Sequence, residues 1–211
     1  MKRQRSKAEL LAHMRTYAAL KKEERDGTEL NKKVSYWRMG VEWSSVLWKE
    51  EKWSANEIAK LLQYVNSHDV TDLPEERREE IRKMLGDRVD WTLRNCINRD
   101  KKCKNAVDQA INDLAYYNTK TSVDYSLLAC EYLITCKGYG KKRLNRVIGC
   151  VRYADMQEAQ IVMWLRQDLY ENKGIWIELD GDTPEDPADM ESSGSSIGMA
   201  GFIGGRVSVR K

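Results

Sequence analysis

From Lys137 to Arg152 the chain carries Lys137, Lys141, Lys142, Arg143, Arg146 and Arg152 and no Asp or Glu. Six bases without an internal acid make a local positive field, and the chemistry this offers is recognition of an anion, above all a phosphate backbone. A second cluster, Lys101, Lys102 and Lys104, precedes it in sequence and is expected to support it. The competing reading is a solvated helix face, on which a late cation such as Arg152 suits the negative end of the helix.

Residues for other chemistry are sparse. Only His13 and His68 are available for imidazole acid–base work, and His68-Asp69 reads as a surface pair. Gly138-Tyr139-Gly140 runs into Lys-Lys-Arg and completes no dinucleotide-binding loop, and no P-loop, zinc-protease or nucleophile-elbow pattern occurs. Asp180-Gly181-Asp182 begins like a calcium loop, but Pro184 and Glu185 stand where a ligand and the required glycine belong. Cys96, Cys103, Cys130, Cys136 and Cys150 form no CxxC pair and have no nearby His, so reduced thiols are expected, with Cys130 and Cys150 in the core. Glu75, Glu76, Glu79 and Glu80 interleave with Arg77, Arg78 and Arg82, the pattern of a salt-bridged outer face and not of paired catalytic carboxylates. The expectation is a protein that is not an enzyme, with no metal and no cofactor.

The elements that must carry the basic residues are helical. Leu144, Val147, Ile148 and Val151 recur at i, i+3, i+4 and i+7, so the basic segment is an amphipathic helix with that stripe buried. It is entered from a helix capped at Thr121-Ser122-Val123-Asp124 through the Gly138-Tyr139-Gly140 turn. Upstream, Ser6-Lys7-Ala8-Glu9 caps a first helix that Asp26-Gly27 should stop, and a second runs from about Thr28 to Lys52. Ser54-Ala55-Asn56-Glu57 caps a third, Pro74 opens a short charged one, and Asp87 caps another through Val89 and Ile97. A further helical stripe runs from Ala106 to Asn118, and Asp155 caps the last helix, which Gly174 ends. The fold class is therefore mainly α, a bundle of about seven to nine helices, with a short β segment near 175–179.

Composition sets the frame. The 211 residues are 41% hydrophobic and 33% charged, ordinary for a globule with a polar surface, and the aromatics are seven Trp and ten Tyr against Phe202 alone. Between Glu178 and Glu191 lie seven carboxylates and no base; with Arg206, Arg210 and Lys211 beyond them, a net charge of +3 leaves residues 1–177 at +7. Residues 1–179 are expected to form the helical domain, and 180–211 an acidic, then Gly/Ser-rich, flexible tail that can compete for the basic site or simply solubilise. No apolar run reaches bilayer length and no secretory signal opens the chain, which points to the cytoplasm and no membrane partner.

Laying Val46–Asn66 over Tyr132–Arg152 matches helix, aromatic turn and helix, with Trp53 over Tyr139, Ile58 over Leu144 and Val65 over Val151. Such a repeat would make two similar halves, 1–86 and 87–179. The spacing of Ile134, Gly138, Tyr139, Leu144 and Val147 approaches that of a DNA-reading helix pair, although Lys137 falls where that pair buries an apolar residue.

The run Lys137-Gly138-Tyr139-Gly140-Lys141-Lys142-Arg143-Leu144, followed by Asn-Arg-Val-Ile, resembles a segment of small uncharacterised helical proteins of Firmicutes phages and prophages, over Leu128 to Asp155. The resemblance implies a mobile-element origin and no activity. The leading expectation is a phage-type accessory protein that binds nucleic acid, DNA before RNA, through the basic helix. The alternative is a protein-interaction module for a host or phage protein, such as an inhibitor of a host defence or nucleic-acid enzyme, or a structural adaptor, with Trp37, Trp43, Trp48 and Trp53 as an exposed anchor patch if they do not pack in the core. The sequence leaves the oligomeric state open.

Overall fold

The computed structural model describes residues 7–89, 106–155, 159–178 and 207–209. In order, these form α1 (Lys7–Glu51), α2 (Ala55–Asn66), a 3-10 turn (Val70–Asp72), α3 (Glu75–Leu85), a second 3-10 turn (Gly86–Arg88), α4 (Ala106–Thr135), α5 (Lys141–Asp155), α6 (Ala159–Lys173), β1 (Ile175–Ile177) and β2 (Val207–Val209). The fold is mainly helical, and the described helices number six where seven to nine were expected.

Two expected breaks are absent. α1 runs straight through Gly27, whose φ is not positive and whose carbonyl oxygen accepts from Asn31 Nδ2 at 2.8 Å. A glycine inside a helix costs only about 1 kcal/mol against alanine, which the rest of a 45-residue helix outweighs. Likewise α4 passes through Thr121-Ser122, because Thr121 is buried in the packed interior and does not serve as a cap. Packing against α1 sets this helix, and local capping preference yields to it. The helix expected from Asp87 through Ile97 falls outside the described residues beyond Val89, as does the cap at Ser6.

α1 and α4 pack side by side as the axis of the molecule, and each receives two shorter helices from the other end of the chain. α5 and α6 lie on α1, while α2 and α3 lie on α4. The turns that lead into α2 and α5 follow one backbone path. Trp53 N–H donates to the Leu47 carbonyl at 3.2 Å and Tyr139 N–H to the Leu133 carbonyl at 3.0 Å. Ile58 N–H reaches the Ser54 carbonyl, and Leu144 N–H the Gly140 carbonyl. Lys52 and Gly138, at matching positions, both adopt positive φ, 60° and 65°. That conformation is free for the glycine but costs the lysine about 1 kcal/mol. The stripes Ile58, Leu61, Leu62, Val65 and Leu144, Val147, Ile148, Val151 are all buried.

The core also takes in Trp37, Trp43 and Trp53, with Trp48 half-buried, so the four tryptophans pack inward and form no exposed anchor patch. Trp37 Nε1 donates to the Ile177 carbonyl at 3.0 Å, tying α1 to β1. β1 lies where a strand was expected and pairs antiparallel with β2, Ile177 opposite Val207. Val207–Val209, expected as tail, is thus a strand: its valines supply the β-branched residues that an edge needs. The acidic and Gly/Ser-rich stretch before it falls outside the described residues.

α3 departs from its expected role in one respect. Its outer face does carry ion pairs such as Arg82 to Glu79, but Arg78 is buried and grips Asp124 of α4 with two bonds, at 2.7 and 3.1 Å. Arg77 likewise holds Glu131 of α4 in a fork at 2.7 and 2.8 Å. The alternation of charge that reads as a solvated face is in part the glue between α3 and α4.

Candidate functional site

The basic residues of Lys137–Arg152 lie on the α4–α5 turn and along the outer face of α5, opposite the buried stripe, as expected. The field they create is another matter, because carboxylates from distant segments meet them. The Glu51 side chain, 1% exposed at the end of α1, accepts from Arg143 Nε at 2.5 Å and from Arg146 Nη2. Lys137 Nζ reaches Glu57 of α2 at 2.7 Å and stands 4.8 Å above the Trp53 ring. Lys141 is 3.4 Å from the exposed Asp87. Lys142 is exposed and makes no ion pair among the described residues, and Arg152 is exposed near the end of α5. Lys101, Lys102 and Lys104 fall outside the described residues.

The pairs have consequences for protonation. Burial pushes the Glu51 carboxyl up, but the hydrogen bonds from Arg146, Arg143 and Tyr139 outweigh it and hold the group below its ordinary value. Lys137 and the Ser54 backbone and hydroxyl bring the Glu57 carboxyl down to about 2. Tyr139, buried between Trp53 and Arg143, is pushed up to about 12 by burial. Its ring supports the Arg143 guanidinium, 3.9 Å from the centroid. Lys137, Arg143 and Arg146 therefore act first as fasteners between the two helical hairpins, α1–α2 and α4–α5, and roughly half of the formal charge of the segment is matched by acids.

Beside this face lies a groove that the sequence did not disclose. It runs between α1, α5 and α6 with a cavity of about 630 Å³ and a mostly apolar lining in which Val46, Ala154, Ile161 and Leu165 take part. Arg146, Lys49 and Glu50 contribute its polar edge, and Tyr153, 71% exposed, is part of the wall. Ser45, almost fully buried and part of the same wall, has no hydrogen-bond partner for its hydroxyl among the described residues. On α6, one turn beyond Ile161, Trp164 is 61% exposed. The signal for these two aromatics was present but faint: Trp164 falls off the stripe Val162, Arg166, Leu169, and Tyr153 falls off Leu144–Val151.

Cys130 is buried, Cys136 exposed and Cys150 half-buried in the groove wall, all three as free thiols. Burial pushes the Cys130 and Cys150 thiols up, which leaves them poor nucleophiles. Among the described residues no group of three or more His, Cys, Asp or Glu is placed to hold a metal ion, and no helix is long and apolar enough to cross a membrane. Comparison with protein-family models, curated proteins and solved structures gives no match for this chain.

Proposed function

We propose that this chain is a phage-type accessory protein that works as a protein-interaction module, taking an acidic amphipathic helix of a partner into the groove between α1, α5 and α6. The observation that carries this reading is the large apolar groove whose wall includes the exposed Tyr153 and Arg146, with the exposed Trp164 on α6 next in sequence to Leu165 of that wall. Exposed Trp, Tyr and Arg around a desolvated pocket are the residue types that dominate binding energy at protein interfaces. Partner chemistry follows from charge: Lys142 and Arg146 on α5 favour acidic residues on the polar side of the incoming helix. The resemblance of Lys137–Leu144 to phage and prophage proteins supports a mobile-element origin.

Nucleic-acid binding is the second reading, favoured by the exposure of Lys141, Lys142, Arg146 and Arg152 on one helix and weakened by Glu51 and Glu57. One experiment separates the two. A fluorescein-labelled amphipathic helix of leucine and glutamate, its scrambled isomer, and short single- and double-stranded DNA are titrated into the full chain at two salt concentrations. The module reading expects the ordered peptide to bind, modestly salt-dependent, and binding to fall about tenfold or more in Trp164→Ala and Tyr153→Ala. Steeply salt-dependent DNA binding, lost in Lys142→Glu and untouched by Trp164→Ala, would put the nucleic-acid reading in its place.

A further inference from the structure

The groove between α1, α5 and α6 has a counterpart in the other half of the molecule. The offset of 86 residues that lays Trp53 on Tyr139 also lays α2 on α5 and the end of α1 on the end of α4. α3 packs on α4 as α6 packs on α1, so each half has the same three walls. In the first half the space between them is filled from within. The Tyr64 ring lies against the Tyr132 ring, centroids 5.2 Å apart, and the His68 ring is 4.9 Å from it. The Tyr64 hydroxyl is hydrogen-bonded to Glu131, which Arg77 of α3 holds in its fork.

At the matching positions of the second half every one of these side chains is smaller. Cys150 stands for Tyr64, Val46 for Tyr132, Ala154 for His68 and Ser45 for Glu131, and all four line the cavity of about 630 Å³. On α6 the facing wall is Ile161 and Leu165, apolar where α3 presents Arg77. Three rings in one half thus correspond to an open, mostly apolar groove in the other. Apolar wall left open to water is costly, and its counterpart shows which kind of group covers it well. Ser45 adds a polar demand: it is 2% exposed and its hydroxyl has no hydrogen-bond partner among the described residues.

We propose that the groove is anchored by a tyrosine of the partner helix, whose ring takes the place that Tyr64 fills in the other half. This rests on the interaction-module reading and names the residue by which that partner is held. The ring packs on Val46, Cys150 and Ala154, and it buries a large area with only two side-chain torsions to fix. Its hydroxyl meets Ser45 as the Tyr64 hydroxyl meets Glu131. A phenylalanine leaves the serine unpaired, and a leucine covers less of the wall. Acidic residues of the same helix then face Lys142 and Arg146, one turn apart on α5.

The test uses the labelled leucine–glutamate helix with its central leucine kept or replaced by tyrosine, phenylalanine or alanine, each titrated into the full chain by fluorescence anisotropy. The tyrosine peptide should bind about tenfold or more tighter than the alanine peptide, and several-fold tighter than the phenylalanine and leucine peptides. Ser45→Ala should erase the preference for tyrosine over phenylalanine and leave phenylalanine binding unchanged. The double variant Val46→Tyr, Cys150→Tyr rebuilds the Tyr64–Tyr132 pair inside the groove; it should weaken the tyrosine peptide by about tenfold or more, with a melting curve confirming the fold. The peptide series and Ser45→Ala decide the matter even where that double variant does not fold. Equal binding of the leucine and tyrosine peptides would overturn the tyrosine anchor and leave the groove reading standing, whereas no binding by any of the peptides would overturn both. Full affinity in the folded double variant, or an unchanged tyrosine preference in Ser45→Ala, would also overturn the proposal.

Discussion

Trp53 Nε1 donates to the Tyr139 hydroxyl at 3.0 Å, with the two rings edge to face at 89°, and these residues occupy matching positions in the two hairpins, 86 residues apart. Around that contact the ion pairs are exchanged. Glu51 in the first hairpin holds Arg143 in the second, and Lys137, which matches Glu51, holds Glu57, which matches Arg143. Each pair thus has a counterpart with the signs reversed, as at an isologous interface drawn from one chain.

The hydroxyl of Tyr139 is the hub, since it accepts from Trp53 and donates to Glu51 at 3.2 Å. Tyr139→Phe keeps the ring and strands the buried indole N–H. The expected loss is about 1–3 kcal/mol in urea unfolding, with the slope of the transition unchanged. A loss within error would mean that the two hairpins are held by apolar packing alone.

Gly27 tests the continuity of α1. The sequence reads it as a stop, and a glycine that ends a helix adopts positive φ, where alanine is strained. In the structure it lies inside the helix, and a Cβ there would meet nothing within 4 Å. Gly27→Ala should therefore stabilise the protein by about 0.5–1 kcal/mol. Destabilisation of similar size would show that the helix breaks at this point.

Acid should loosen the contact between α2 and the α4–α5 turn. The Glu57 carboxyl titrates at about 2 in the fold, below its ordinary value of 4.5, so its contribution is complete above that ordinary value and is lost as pH falls through about 2. The side chain is 39% exposed, which limits the effect to about 1 kcal/mol or less. Glu57→Gln retains the capping role of the position and removes the charge. The difference in stability between the two proteins should be largest near about pH 6 and shrink toward about pH 2.5.

How much of this was legible is clearest residue by residue. The stripe Leu144, Val147, Ile148, Val151 and the capping box at Ser54 and Glu57 are local patterns, and they appear as read, with α2 and α5 where expected. Gly27 was misread because the small cost of a glycine inside a helix is outweighed by the rest of α1. Thr121 was misread because burial along the α1–α4 contact overrides capping preference, and burial is not a local property. The electrostatics were misread for the same reason. Lys137–Arg152 contains no acid in sequence, but Glu51 and Glu57 arrive across separations of 80 to 95 residues. The match of Trp53 with Tyr139 was visible in the alignment of the two hairpins, but the exchange of Glu51–Arg143 for Lys137–Glu57 needs the two hairpins placed face to face. The groove beside α6 had still less signal, because one exposed Trp and one exposed Tyr off a stripe look like any surface residue.

Glu51→Gln joins the fold to the function. The neutral amide keeps the size of the side chain and one acceptor, but Arg143 and Arg146 lose the charge that holds them. Both guanidiniums are about half exposed, so water takes over, and the cost should be about 1–2 kcal/mol, below that of a fully buried pair. The face of α5 meanwhile gains one net positive charge and two released arginines. If that face meets phosphates, DNA affinity should rise, and its salt dependence should steepen by about one to two contacts' worth. If the arginines serve as fasteners and as a rim for an acidic partner helix, stability falls while DNA affinity stays low at both salt concentrations. The paired measurement of unfolding and DNA binding on this single variant therefore separates a structural charge from a recognising one, because only the second moves the salt slope.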